Sequence, residues 1–136
     1  MALSAGTVKK WKQKGLERTF LLAASQTVYE GAIIMITTAT GHAAVGADTS
    51  GNVLAGVATE AVTSTTAGVK SVKVLMQGEC NFAASAADQT WVGTKVYISD
   101  DATVALVGTT SNDVLVGRCT ELVSASEVRV LIDATV

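Results

Sequence analysis

From residue 19 onward, β-branched and aliphatic residues come in short runs separated by turn residues, at the spacing of an all-β sandwich or barrel. The pattern predicts strands at 19–23, 32–37, 53–59, 71–77, 95–99, 103–107, 114–122 and 127–133. Ser50-Gly51-Asn52, Asp100-Asp101 and Ser111-Asn112-Asp113 supply the turn chemistry between them. Strict alternation marks two of the strands: Val72, Val74 and Met76 share one face, as do Val128, Val130 and Ile132. The run Ile33-Ile34-Met35-Ile36 is apolar on both faces, so it is either covered on both sides within the chain or packs one side on another subunit. No helical period stands out. Residues 1–18 carry neither period and read as an N-terminal arm ahead of a β domain at 19–136.

The hydrophobic pattern is written twice. Leu54, Gly56, Thr59, Glu60 and Val62 recur 61 residues later as Leu115, Gly117, Thr120, Glu121 and Val123. Upstream, 31–36 lies opposite 93–98, and downstream Val72-Lys73-Val74-Leu75-Met76 returns as Val128-Arg129-Val130-Leu131-Ile132. The fold class expected is therefore a compact β-barrel or β-sandwich built from two related β units, about 27–77 and 89–133, with an extended arm. The loop 63–71 is five residues longer than its counterpart, which makes it a candidate for a contact that only one unit makes. Leu75 and Leu131 stand beside charged residues on the nominally wet faces of their strands. With Ile33 and Met35 they are the candidate self-association residues.

Composition narrows the picture in three ways. Only six residues are aromatic and none is proline, so the interior must be filled by Val, Ala, Leu and Ile. Charge is unevenly placed: the first twenty residues hold five basic and one acidic side chain, the remaining 116 five basic and eleven acidic. No uncharged apolar run approaches the roughly 20 residues of a membrane span, and the N-terminal lysines are not followed by a signal-peptide core. The expectation is a protein made in the cytoplasm, with no membrane partner.

Candidate chemistry is sparse. Cys80 and Cys119 lack metal or redox spacing and read as two small buried thiols; His42 is the only histidine and sits in a small-residue turn. No phosphate loop or nucleophile elbow is present, so neither metal nor cofactor is expected. The repeated pairs Thr59-Glu60 and Thr120-Glu121 have a catalytic reading, as carboxylates dividing acid and base roles. Their structural reading, as strand-end residues whose side chains satisfy loop amides or meet a neighbouring subunit, fits better a glutamate placed identically in each unit. The arm carries Lys9, Lys10, Trp11, Lys12, Lys14 and Arg18. These fit docking on an acidic protein surface with Trp11 as anchor; a single-stranded nucleic-acid binder is the less favoured alternative, since one aromatic accompanies the lysines and the body is acidic.

The order of segments resembles the small capsid cement, or head decoration, proteins of tailed bacteriophages. The residues that carry the resemblance are Val28, Tyr29, Gly31 and Ala32; Gly56, Ala58 and Glu60; Val72, Val74, Gly78 and Phe82, where the family has a strand leading into a hairpin; and Gly93, Lys95, Tyr97, Asp100, Asp101, Val104 and Ala105 in a second hairpin. They span about 17–132. The long basic arm and the ending "LIDATV" depart from the family pattern. The resemblance implies a non-enzymatic virion protein on the capsid surface. It would bind the major capsid protein, commonly as a trimer, and fasten shell subunits together without a cofactor. Another phage structural component, such as a head-fibre base or tail protein, is the alternative.

Overall fold

The computed structural model describes residues 5–6 and 16–134, and these are almost entirely β. The strands are β1 (Glu17–Leu21), β2 (Gln26–Val28), β3 (Ile33–Thr37), β4 (His42–Val45), β5 (Asn52–Ala58), β6 (Val62–Ser64), β7 (Ser71–Leu75), β8 (Gln77–Ala83), β9 (Lys95–Ile98), β10 (Val104–Ala105), β11 (Leu115–Ser124) and β12 (Glu127–Asp133). A short 3-10 turn, Gln89–Trp91, is capped by Asp88. Among the described residues no helix is long and apolar enough to cross a membrane.

Two five-stranded antiparallel sheets carry the fold, in the orders β1-β7-β5-β3-β4 and β8-β12-β11-β9-β10, and β2 pairs with β6 beside the first. Strand for strand the orders are the same, so β1 corresponds to β8, β3 to β9, β4 to β10, β5 to β11 and β7 to β12. Each sheet curls until its far ends meet in a parallel bridge, Leu22 with Ala43 in the first and Ala83 with Thr103 in the second. Local geometry repeats as well. The Gly31 amide donates to the Ala58 carbonyl and the Gly93 amide to that of Cys119, both at 2.8 Å. Gly31 and Gly93 have φ of 89° and 88°, and the left-handed residues Ser25 and Ala86 stand at corresponding places.

The strand pairing moves the unit boundaries. Glu17 and Arg18, expected in the arm, lie in β1 opposite Leu75 and Val74. The first unit therefore begins at β1, not near residue 27, and the second begins at β8, not near 89. The segment 72–82 is not a hairpin. β7 closes the first sheet, Met76 turns the chain, and β8 opens the second, paired along all seven of its residues with β12.

Two apolar clusters result. One lies inside the first curl, with Leu22, Val28, Ile34, Ala43, Ala55, Ala58, Val72 and Val74. The other fills the second curl, with Cys80, Phe82, Val96, Ile98, Val116, Cys119, Val128, Val130 and Ile132, and it also takes in Ile33, Leu54, Val57 and Leu75 from the outer face of the first sheet. The apolar-on-both-faces character of 33–36 thus has an intramolecular cause. Ile34 packs inward in the first unit, while Ile33 packs outward into the core shared with the second. The long loop is likewise engaged within its own chain, since the Leu22 amide donates to Lys70 and the Gly68 amide to Leu22.

Candidate docking surfaces

Of the predicted arm residues, Lys9, Lys10, Trp11, Lys12 and Lys14 lie outside the described residues. Arg18 is exposed on edge strand β1. The self-association set divides. Ile33, Met35 and Leu75 are buried within the chain, Ile33 and Leu75 in the core that the outer face of the first sheet shares with the second unit, so they have no surface to offer a partner. Leu131, the counterpart of Leu75, is exposed.

Leu131 belongs to a row across the outer face of the second sheet. β9, β11, β12 and β8 place Lys95, Arg118, Leu131 and Glu79 side by side, and Tyr97 pairs with Leu115 in the neighbouring row. Lys95, Arg118 and Leu115 are exposed, and Tyr97 is half-buried. This surface joins two leucines and an aromatic ring to two cationic side chains, with a polar network at its far side. There Arg129 pairs with Glu121 and its Nε donates to Asn81, whose amide donates to Glu127 at 2.8 Å. Alternation, shifted by one residue at the bulge between Leu115 and Gly117, puts these residues outside, because Val96, Val116, Cys119, Val128 and Val130 take the inward positions.

The repeated Thr-Glu pairs hold strands together. Thr59 Oγ1 donates to the Lys73 carbonyl at 3.2 Å, and Thr120 Oγ1 to the Arg129 carbonyl at 3.3 Å and to Glu79 at 2.7 Å. Glu121 is occupied by Arg129 and Glu60 is exposed; the threonine hydroxyls bond strand carbonyls, where the sequence led us to expect side chains on loop amides or on a neighbouring subunit.

Cys119 and Cys80 both lie opposite Val130, one on each side of it. Two strand spacings put their Cα atoms about 10 Å apart, beyond the roughly 7 Å that a disulfide spans. Burial pushes the Cys119 thiol up, against a weaker opposing backbone contact at Glu121, which keeps it protonated at neutral pH and poorly nucleophilic. His42 lies on β4 opposite Thr37 with its ring near Gly68. Among the described residues no group of three or more His, Cys, Asp or Glu is placed to hold a metal ion.

Sequence reasoning missed Asp48, which ties the two units together. Its carboxylate accepts from the amides of Ser111 at 2.6 Å and Asn112 at 2.8 Å, and its carbonyl accepts from the Asn112 side chain at 2.9 Å. Beside this clamp, residues 51–54 and 112–115 with Ala134 line a cleft of about 300 Å³. The Ser111 amide, outweighing partial desolvation, holds Asp48 below the ordinary carboxylate range. A lowered folded-state pKa means that the clamp's contribution is present above the unfolded carboxyl pKa and is lost as pH falls through the folded value. Asp48→Asn should therefore reduce stability most at neutral pH, with the gap to wild type closing below about pH 4. Thermal melts across pH check this; a gap that stays constant with pH would remove the carboxylate's charge from the explanation.

Comparison of the chain with protein-family models, with curated proteins and with solved structures finds no match in any of the three.

Proposed function

We propose that this protein is a structural cement of the capsid-decoration kind, which binds the outer surface of an icosahedral phage head and bridges major capsid protein subunits. The observation that carries the reading is what the chain repeats. The hydroxyls of Thr59 and Thr120 bond strand carbonyls, and Gly56 and Gly117 let strands approach closely. The segment written twice is therefore architecture, which suits a rigid binding body. The ordered resemblance over 17–132 adds the class of partner. A basic arm leading into β1, at the edge of the first sheet, suits an attachment that reaches a neighbouring acidic surface. Binding to the assembled shell alone stabilises that shell by mass action, and repetition over a symmetric lattice multiplies weak contacts.

Co-sedimentation tests the proposal, using shells assembled from the major capsid protein of the same genome. The full chain should pellet with the shells and raise their melting temperature. A variant lacking residues 1–15 keeps β1 whole and should bind at least about tenfold more weakly. Equal decoration by the shortened protein would remove the arm from the mechanism. A full chain that stays in the supernatant would overturn the capsid reading.

A further inference from the structure

The contact between the two units is head-to-tail, and the equivalents of both its halves stand open on the surface. The first unit contributes the outer side of its sheet, Ile33, Leu54, Val57 and Leu75, to the core of the second. The second unit contributes the end of its curl. The Asp101 carbonyl accepts from the Ile33 amide at 2.8 Å, Ala47 bridges Asp100, Asp48 clamps the Ser111–Asn112 turn, and Val114 enters the shared cluster. On the second sheet the equivalent of that side is Lys95, Leu115, Arg118 and Leu131. On the first unit the equivalent of that end is the turn 50–52 with Val53.

Burial follows this assignment at the apolar positions. Leu54 is 9% exposed and Leu115 41%; Leu75 is 2% exposed and Leu131 43%; at the end of the curl the sense reverses, with Val114 at 6% and Val53 at 51%. An isologous contact would bury the same positions in both units. A heterologous one buries complementary sets and leaves one of each open.

We propose that a second copy of this chain docks there, repeating the internal contact between molecules: the Val53 end of one copy seats on the Leu115–Leu131 side of the next. Lys95 and Arg118 stand where Ile33 and Val57 stand in the first sheet, so the intermolecular contact is weaker than the internal one and reversible. Their stems can lie along the apolar surface while the charged heads meet water at the rim. The acidic body of an approaching copy, five basic against eleven acidic residues beyond residue 20, favours that encounter. Such a contact closes into a ring if its rotation permits, and otherwise extends. This inference does not rest on the capsid reading, because the free protein alone tests it.

The experiment is mass measurement by sedimentation and native mass spectrometry over a concentration series, on the full chain, Val53→Asp and Leu131→Asp, with circular dichroism to confirm folding. Wild type should show mass rising with concentration, and each variant should associate at least about tenfold more weakly. Mixing the variants is decisive. Val53→Asp leaves Leu131 and its strand neighbours unchanged and Leu131→Asp leaves the Val53 end unchanged, so the mixture should form two-chain complexes that grow no further. The proposal is overturned by a wild type that stays monomeric into the millimolar range, which would leave the Lys95–Arg118 face to an acidic partner of another kind. It is equally overturned by variants that associate like wild type, or by folded variants whose mixture stays monomeric.

Discussion

Replacing Gly117 by alanine is expected to destabilise the protein by about 3 kcal/mol or more, at the upper end of what overpacking costs. A Cβ at Gly117 would stand 2.0 Å from the Leu131 carbonyl oxygen and 2.9 Å from its carbon. Both are backbone atoms of the neighbouring strand, which cannot swing aside as a side chain could. Gly56 repeats the arrangement, with its Cβ position 2.2 Å from the Leu75 carbonyl oxygen and a φ of 147° that side-chain-bearing residues rarely adopt. The cause is the same bulge in each sheet. Pairing passes from Leu54 opposite Met35 to Gly56 opposite Ile34, and from Leu115 opposite Tyr97 to Gly117 opposite Val96. The extra residue, Ala55 or Val116, points into the core. With total stability of roughly 5–15 kcal/mol for a domain of this kind, either Gly→Ala variant should melt about 10 °C or more below wild type. A urea titration that finds either variant within about 0.5 kcal/mol of wild type would show that the bulge can open.

Those glycines also mark how far the fold was legible. Gly56 and Gly117, with the leucines, threonines and glutamates around them, mark a repeated β unit in the sequence itself, because a bulge, a strand end and a turn each demand particular residues. β4 was not legible: His42-Ala43-Ala44-Val45 has low strand propensity and is a strand because β3 pairs with it. β8 was hidden for a related reason, since Gln77-Gly78-Glu79-Cys80-Asn81-Phe82-Ala83 shows weak alternation and owes its form to β12. Glu17 and Phe20 returning 62 residues later as Glu79 and Phe82 was the signal that would have placed both edge strands. At the candidate surface the limit is of another kind. Leu75 and Leu131 have closely similar neighbours in sequence, Val74 and Met76 against Val130 and Ile132, and the same place in their units, yet one is buried and the other exposed. The difference comes from how the units pack, which no local pattern encodes.

The two phenylalanines turn this asymmetry into a measurement. Phe20 on β1 lies opposite Val72, and Phe82 on β8 lies opposite Val128, so they occupy one position in the repeated unit. Phe82 is fully buried in the cluster that also holds Ile33, Leu54, Val57 and Leu75; Phe20 is half-buried against the first cluster. Phe82→Ala should cost about 3–5 kcal/mol, the usual range for emptying a buried aromatic site. Phe20→Ala should cost about 1–2 kcal/mol, since part of its ring already meets water. The form of the transition carries as much as its midpoint. The outer face of the first sheet is covered by the second unit, and when that unit loosens, Ile33, Leu54, Val57 and Leu75 are exposed together. Phe82→Ala should therefore lower a single cooperative transition in which both units are lost. Equal costs at the two positions, or a separate surviving transition for the first unit, would show that the units are stabilised independently and that the shared core contributes little.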